Sequence, residues 1–257
     1  MSPEGTTIRV AVVGATGELG SAATALLERT GGFTVVAALG SARDWADMLG
    51  TAEDPSEVVL DVTLPHVSPD VVDYALTRGR DVVVGTTGWT AEKLATLTPL
   101  LEAHPERGVI VVPNFAAGAA LATAFAATAS RFFDAIEIIE AHGPGKLDSP
   151  SGTATRIAEQ IHAARDDLGP VSAPHPDQRA RGDQVRSVPV HSLRLPGAYA
   201  RHDVILSGPG ETLTISHNVL GPSSGAYEAG LVIALREALR HRGLLVGLDT
   251  LLGLGEG

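Results

Sequence analysis

The sequence predicts an α/β protein built from a Rossmann-type, doubly wound parallel sheet and a second, α+β domain with an open mixed sheet. Short apolar runs alternate with helix-like runs through the first 115 residues, which is typical of repeated βα units around a parallel sheet. A glycine-rich turn follows the first apolar run. After Asn114 the pattern changes, and short runs rich in β-branched residues follow one another with turns between them, as in a mostly antiparallel sheet.

The domain boundaries follow this change of pattern. Residues 1–115 and 227–257 are expected to form the first domain, and residues 116–226 the second. A chain of 257 residues with 44% hydrophobic residues is long enough for two packed cores.

Composition excludes several classes of function. The net charge of −11 argues against a nucleic-acid partner. The absence of cysteine excludes disulfides, thiolate metal sites and cysteine nucleophiles. No apolar run approaches the roughly 20 residues that span a bilayer, and the polar start lacks a signal pattern. We therefore expect no membrane association, a cytoplasmic location and no metal.

The first apolar run, residues 8–13, leads directly into a glycine-rich turn and then a helix to about Thr30. Strand, turn and helix in this order are typical of a dinucleotide-binding unit, in which glycines permit a tight turn and close approach to the pyrophosphate. The turn has the spacing G-x-x-G-x-x-G. Its predicted cofactor-binding residues are Gly14, Ala15, Thr16, Gly17, Glu18, Leu19 and Gly20.

The second strand, residues 34–39, bears on the choice between NADPH and NADH. An NAD-preferring site usually carries an acidic residue near the end of this strand. Here Ser41 and Arg43 follow it and could accept a 2′-phosphate, which favours NADPH. Glu18 in the glycine turn would repel that phosphate, so the preference stays open at this point.

Three further strands are expected at residues 57–62, 81–84 and 109–112, with helices at 69–78 and 91–103 between them. Ligands of doubly wound sheets lie beyond the carboxyl ends of the strands, and all three strands end in polar or glycine-rich turns. This edge is predicted to bind the nicotinamide. The residues assigned to it are Thr63, Gly85, Thr86, Thr87, Pro113, Asn114 and Phe115.

The second domain is expected to begin with a small-residue helix and to end before a final helix and an apolar tail. In order, the predicted elements are a helix at 116–131, a strand at 135–139, a helix from Ser149 to about 168, a long exposed loop at 169–187, strands at 188–195, 200–207 and 211–217, a helix at 225–240, and the tail at 244–252.

The stretch from Glu140 to Ala154 carries the chemistry. Gly and Pro residues between His142 and Lys146 exclude a continuous helix, so both side chains are expected on a loop. Ser149 is a good N-cap and Pro150 suits the first helical position. Free backbone N–H groups would then favour an anion; they belong to Ser151, Gly152 and Thr153. An imidazole, an ammonium and a helix N-terminus together indicate a site for a carboxylate that must gain a proton.

Over most of its length the sequence resembles the 4-hydroxy-tetrahydrodipicolinate (dihydrodipicolinate) reductases of bacterial lysine biosynthesis. The most specific match is Glu140–Ala154, close to the family pattern E-x-H-H-x-x-K-x-D-x-P-S-G-T-A. The other matching motifs are residues 14–20, 85–89, 113–115 and 210–217. The resemblance implies a dinucleotide-binding domain, a substrate domain whose open sheet forms a homotetramer, and hydride transfer from NADPH or NADH to a cyclic unsaturated dicarboxylate.

By the same resemblance, His142 falls at the position of the proton donor and Lys146 at that of an essential lysine. Gly152 and Thr153 fall where a substrate carboxylate is held. Two departures suggest an altered substrate, such as another cyclic imine or unsaturated ring carboxylate. Gly143 replaces a second histidine, and residues 218–226 lack an expected arginine. Losing such a charge-assisted contact costs about 1.5–3 kcal/mol.

Three other classes share parts of the pattern. Short-chain dehydrogenases need a Tyr with a Lys four residues later, and none of Tyr74, Tyr199 or Tyr227 has one. Aspartate-semialdehyde dehydrogenase needs a cysteine thiolate, which this chain cannot supply. A dinucleotide-sensing protein without turnover would not need His142 or Lys146, although descent from an enzyme could preserve them.

Overall fold

The computed structural model describes residues 7–40, 47, 49–221 and 225–254. The chain divides into two compact units. The first runs to Ala116 and resumes at Tyr227, and the second is Ala117–Ala226. The predicted cofactor residues Ser41 and Arg43 lie outside the described residues. Within the described part of the chain, no helix has both the length and the apolar character to span a bilayer.

Eleven strands and eight helices are described. The strands are β1 Ile8–Val13, β2 Phe33–Leu39, β3 Val58–Asp61, β4 Asp81–Val84, β5 Gly108–Val111, β6 Ala135–His142, β7 Asp183–Val185, β8 Val188–Arg194, β9 Ala200–Gly208, β10 Glu211–Val219 and β11 Gly243–Val246. The helices are α1 Glu18–Arg29, α2 Ser68–Leu76, α3 Ala91–Ala95, α4 Leu97–Ala103, α5 Ala117–Ser130, α6 Gly152–Ala164, α7 Glu228–Ala238 and α8 Leu248–Leu251.

The sheet of the first unit confirms the predicted doubly wound architecture. Its strands are ordered β2-β1-β3-β4-β5-β11, and all neighbouring pairs are parallel. The short valine-rich strands at its centre are inaccessible to solvent, because helices cover both faces of a parallel sheet of this kind. Strand order reverses between β1 and β3, which is where ligands of such sheets bind.

Two sequence predictions for this unit were wrong. The apolar tail at 244–252 forms β11, which pairs with β5 at the edge of the sheet, and the short helix α8. The single helix predicted at 91–103 is two helices that meet at Thr96. Pro99 explains the break, because it has no N–H to donate to the carbonyl of Ala95.

The second unit contains a mixed sheet in the order β10-β9-β6-β8-β7, with α5 and α6 packed against it. Only the β6–β8 pairing is parallel; the other three are antiparallel. The loop predicted at 169–187 was partly wrong, since it contains a short 3-10 turn at Arg179–Arg181 and the edge strand β7.

The helix-facing side of this sheet changes from apolar to polar along the strands. Ile138 pairs with Val190 and Val204, and all three are buried in the core. Two residues further along β6, Glu140 is aligned with Ser192 and His202. Directly opposed residues in neighbouring strands point to the same face. The polar row therefore lies at the end of the core, where β6 ends.

Candidate active site

His142 is the last residue of β6. The prediction that it lies on a loop, made from the glycines after it, was wrong. Residues two apart in a strand point to the same face, so His142 lies beside Glu140. The Nδ1 of His142 is 2.5 Å from the Oε2 of Glu140. The Glu140 side chain is fully buried, while that of His142 retains 12% exposure.

The protonation state of this pair follows from the groups around Glu140. Burial alone would raise the pKa of its carboxyl, but hydrogen bonds from Arg194, Ser192 and His142 hold that pKa below its usual value. An ionised carboxylate only accepts hydrogen bonds. The Nδ1 of His142 must therefore carry a hydrogen, which leaves Nε2 as the nitrogen that can exchange a proton with a ligand.

Lys146 lies on the loop after β6, as predicted. Its Nζ is 2.8 Å from the Oδ1 of Asp148. Burial would raise the pKa of Asp148, but Lys146 and the backbone N–H of Gly152 are among the groups that lower it. Lys146 and the N–H of Gly152, which were both predicted at the substrate site, therefore already contact a carboxylate of the protein.

The N-terminus of α6 differs from the prediction in two respects. Its N-cap is Ser151 and not Ser149, because the Ser151 hydroxyl accepts a hydrogen bond from the backbone N–H of Ala154. The expectation of free N–H groups was wrong at two positions. The N–H of Ser151 donates to the carboxylate of Glu140, and that of Gly152 donates to Asp148.

Thr153, also predicted at this helix N-terminus, is half-buried in the first turn of α6. Gly152 is exposed, and no atom lies within 4 Å of where its Cβ would be. This open space lets a ligand approach the start of α6. A small anion could reach the helix N-terminus there, where the backbone dipoles favour negative charge.

His202, on β9, is a buried neighbour of this site that sequence reasoning missed. Its ring meets that of His142 edge to face, with 5.4 Å between the centroids. Its Nε2 is 3.2 Å from the Ser151 hydroxyl. Burial, with a smaller contribution from His142, lowers the pKa of His202 to about 4. His202 is therefore neutral at pH 7.

In the first unit, the glycine turn lies between β1 and α1 as predicted. Gly14 has φ of +94°, and a Cβ there would lie 2.4 Å from the carbonyl oxygen of Val62. A Cβ on Gly20 would lie 2.1 Å from the carbonyl oxygen of Gly14. Both positions therefore exclude any side chain, and the turn fits the dinucleotide role expected of it. Thr16, Gly17 and Glu18 are exposed, Ala15 and Leu19 are half-buried, and Gly20 is buried.

The predicted nicotinamide edge is held together by a buried carboxylate that sequence reasoning also missed. Asp61 ends β3 and is inaccessible to solvent. It accepts hydrogen bonds from the backbone and hydroxyl of Thr63 and from the hydroxyl of Ser68. Burial raises the pKa of Asp61 despite these hydrogen bonds. The hydroxyl of Thr86 lies 3.5 Å from the Asp61 carbonyl oxygen, so the turns after β3 and β4 are joined.

The remaining predicted cofactor residues lie in the turns after β4 and β5. A Cβ on Gly85 would lie 2.6 Å from the ring of Phe115, so these two turns are in contact. The side chain of Asn114 accepts a hydrogen bond from the N–H of Ala116. Thr87 and Pro113 are exposed at the same edge. The structure therefore brings together the predicted residues that follow β1, β3, β4 and β5.

The residues missed by sequence reasoning are Glu140, Arg194, His202 and Asp61. Glu140 belongs to the motif, but nothing in its spacing shows that it binds His142. Arg194 and His202 are 54 and 62 positions along the chain from Glu140, and only the sheet register brings them to it. Among the described residues, no cluster of three or more acidic, histidine or cysteine side chains could hold a metal ion.

Comparison with family models places both units in one family. The model described as dihydrodipicolinate reductase, N-terminus, matches residues 8–115, and that described as dihydrodipicolinate reductase, C-terminus, matches residues 118–252. Together these matches cover most of the chain.

Curated relatives agree with the family models. The chain is 51% identical over 248 residues to the 4-hydroxy-tetrahydrodipicolinate reductase of Clavibacter sepedonicus, covering 96% of this chain and 87% of the relative. It is 43% identical to that of Streptomyces griseus, covering 96% of this chain and 98% of the relative.

Among solved structures, the dipicolinate-bound dihydrodipicolinate reductase of Paenisporosarcina sp. TG-14 is similar with a TM-score of 0.78 and 30% identity. The match covers 95% of this chain and 99% of that one. A scyllo-inositol dehydrogenase from Lactobacillus casei is 12% identical with a TM-score of 0.61, covering 97% of this chain and 93% of that one. The second likeness shows the fold alone.

Proposed function

The chain belongs to the dihydrodipicolinate reductase family, and on that premise we propose that it reduces 4-hydroxy-tetrahydrodipicolinate to tetrahydrodipicolinate in the lysine and diaminopimelate pathway. The hydride source is NADPH or NADH. The first unit binds the dinucleotide through the glycine turn and the turns after β3, β4 and β5. The second unit binds the substrate near the end of β6.

The substrate ring first loses its hydroxyl group as water, which gives a conjugated imine. When bound, the reduced nicotinamide supplies a hydride to that imine. The electron pair displaced by that hydride must then be taken up by a proton. His142 donates the proton from Nε2, because Nδ1 is held by Glu140. The carboxylate of Glu140 accepts the Nδ1–H and so fixes the tautomer and the orientation of the ring.

Lys146 and the start of α6 bind a carboxylate of the substrate. In the structure the Lys146 ammonium and the Gly152 N–H share Asp148, which supports the binding of one carboxylate by both groups. The substrate carboxylate takes up contacts of this kind in the complex. Thr153, in the first turn of α6, adds a hydroxyl to the same site, and Ser151 positions the helix through its cap.

The observation that carries the proposal is the pairing of His142 with a fully buried carboxylate at the end of β6. Burying a carboxylate is costly unless it is paired, and a surface histidine needs no such partner. A dinucleotide-sensing protein without turnover would have no use for this pair.

A second candidate is a reductase of the same family acting on another cyclic imine or unsaturated ring carboxylate. Gly143 favours it, since the histidine expected there would supply a further contact to a dicarboxylate. The homotetramer implied by the resemblance and the cytoplasmic location expected from the sequence also remain predictions. Analytical ultracentrifugation of the purified chain would test the first.

The test of the function is oxidation of NADPH and of NADH with enzymatically generated 4-hydroxy-tetrahydrodipicolinate, with simpler cyclic imino acids measured beside it. We expect turnover with the dicarboxylate and a higher kcat/KM than with the simpler acids. A higher kcat/KM with a monocarboxylic imine would favour the second candidate. Cofactor binding without turnover on any of these acids would contradict the proposal.

A further inference from the structure

One side chain contacts both the partner of His142 and the loop that carries Lys146. This side chain is Arg194, the last residue of β8. Its Nη2 lies 2.9 Å from the Oε1 of Glu140 and its Nη1 lies 3.1 Å from the Oε2. The guanidinium therefore binds both carboxylate oxygens, a geometry that fixes the plane of the carboxylate as well as its charge.

The same guanidinium also binds the loop after β6. Its Nε donates to the carbonyl oxygen of Lys146 at 3.3 Å, and its Nη2 donates to the carbonyl oxygen of Asp148 at 2.6 Å. The two carbonyls flank Leu147, whose side chain is 97% exposed and gives the loop no apolar anchor. Arg194 thus joins this loop to Glu140 by fixed contacts.

The sheet register explains how a residue so distant in sequence reaches this place. Arg194 is aligned with His142 in the parallel β6–β8 pair, and aligned residues share a face. The guanidinium has donors directed to several acceptors in one plane. An ammonium at this position would be a single point charge and could not hold all of these acceptors at once.

We propose that Arg194 is a positioning residue of the reduction, which sets the proton donor His142 through Glu140 and the ligand Lys146 through its loop. Arg194 need not touch the substrate. Its contribution is the common placement of two groups that must act on one ligand. This inference rests on the proposed function.

The same strand offers a matched control. On β6, Glu137 is also bound by an arginine and a histidine, Arg181 and His191. Arg181 contacts the loop before it, at Pro174, and none of its contacts reaches the loop of Lys146. An Arg181→Met protein therefore removes an arginine of similar exposure, 28% against 21% for Arg194, together with its glutamate contact, without touching the site.

The first experiment compares kcat, KM for 4-hydroxy-tetrahydrodipicolinate, NADPH affinity and Tm in Arg194→Met and Arg181→Met proteins. A displacement of about 1 Å in a catalytic group can cost a hundredfold in rate, so we expect kcat to fall about a hundredfold and KM to rise in Arg194→Met. NADPH affinity should not change. Arg181→Met should keep kcat and KM at wild-type values.

A second experiment separates positioning from general stability. If Arg194 acts through His142, the Arg194→Met substitution should lower kcat far less in a His142→Gln protein than in the wild type, since the two effects then share one step. The Arg194→Lys protein, which keeps a positive charge beside Glu140, should recover part of the loss in kcat. It also serves as the test if Arg194→Met does not fold.

The proposal is overturned if Arg194→Met, or Arg194→Lys where Met does not fold, keeps the wild-type kcat and KM. It is also overturned if Arg194→Met lowers kcat by the same factor with and without His142. A wild-type protein that fails to oxidise NADPH or NADH with the substrate would instead refute the proposed function, and that result is read before any variant is made.

Discussion

Two clusters of the same residue types are built around the glutamates of strand β6, one on each face of the sheet. Each holds one glutamate, one histidine and one arginine. The site cluster is Glu140, His142 and Arg194, and the surface cluster is Glu137, His191 and Arg181. The pKa of the glutamate is lowered in both: burial acts to raise it, and the arginine and histidine outweigh that effect.

The clusters differ in burial and in what the arginine holds besides the glutamate. The Glu140 side chain is fully buried, whereas that of Glu137 is 32% exposed. The arginine of the site cluster binds the loop of Lys146, and that of the surface cluster binds the carbonyl of Pro174. Residue types alone therefore do not distinguish the two clusters. Only the site cluster combines a desolvated carboxylate with an arginine that also holds the loop of Lys146.

Neutralising each glutamate tests most directly whether the two clusters differ in function. We expect Glu140→Gln to lower kcat about 10–100-fold, by analogy with the loss of a carboxylate that orients a metal-bound histidine, because an amide cannot offset the imidazolium charge. Glu137→Gln should leave kcat unchanged and cost at most about 1 kcal/mol of unfolding free energy, as for an exposed pair. Steady-state kinetics and urea denaturation measure both effects. Equal losses of kcat in the two variants would contradict the distinction.

The loop held by the site cluster provides the next test. Replacing Lys146 with Met removes a charged contact to a carboxylate, worth about 1.5–3 kcal/mol, so KM for the substrate should rise about 10–100-fold. Leu147→Ala, one position along the same exposed loop, is the matched control and should leave KM unchanged. An unchanged KM in Lys146→Met would remove this residue from the substrate site.

His202, whose ring contacts that of His142, is expected to make the stability of the protein depend on pH. Its pKa is about 4 in the folded chain and about 6.5 unfolded, so the unfolded chain binds an extra proton between these values. The free energy of unfolding should therefore fall as pH drops from 6.5 to 4, with up to about 3 kcal/mol from this group.

Denaturant titrations of the wild type and of a His202→Gln protein at several pH values isolate that contribution. The variant should show the smaller slope of unfolding free energy against pH. Identical slopes in the two proteins would show that His202 does not remain neutral in the folded chain.

The smallest effect is expected at Gly143. A Cβ there would lie 3.5 Å from the carbonyl oxygen of Ala198, an ordinary contact, so a side chain can be accommodated. If the chain acts on the family's dicarboxylate, Gly143→His should raise kcat/KM for it several-fold, because a weak new contact contributes about 1 kcal/mol. Gly143→Ala is the control for the backbone change. No gain from histidine over alanine would count against a missing substrate contact.

Local sequence patterns predicted the fold well where apolar runs and glycine turns mark an element clearly. The run at 8–13, the glycine turn and the first helix correspond to β1, the turn and α1. Predictions failed where partners at long range decide the structure. β11 is a strand because it pairs with β5, and its short apolar run at 243–246 could not show this.

The residues of the candidate site also fall into two groups, those within one local motif and those that distant strands supply. His142 and Lys146 stand in one motif, and the sequence alone was enough to propose them as site residues. Arg194 and His202 come from other strands, and only the register of β6 with β8 and β9 brings them to Glu140. The helix N-terminus was placed at Ser149 because Ser149-Pro150 is a good starting signal. The observed cap is Ser151, whose hydroxyl and N–H both have partners in the folded chain.

We propose that His142 donates the proton in the reduction, and that a histidine beside a glutamate elsewhere on the sheet, such as His191, does not. The direct measurement is kcat for NADPH oxidation with 4-hydroxy-tetrahydrodipicolinate in His142→Gln and His191→Gln proteins, with NADPH affinity measured in both. Loss of a general acid costs about 10²–10⁴ in rate, so kcat should fall by that factor in His142→Gln alone, at unchanged NADPH affinity. A His142→Gln protein that retains the wild-type kcat would contradict the account.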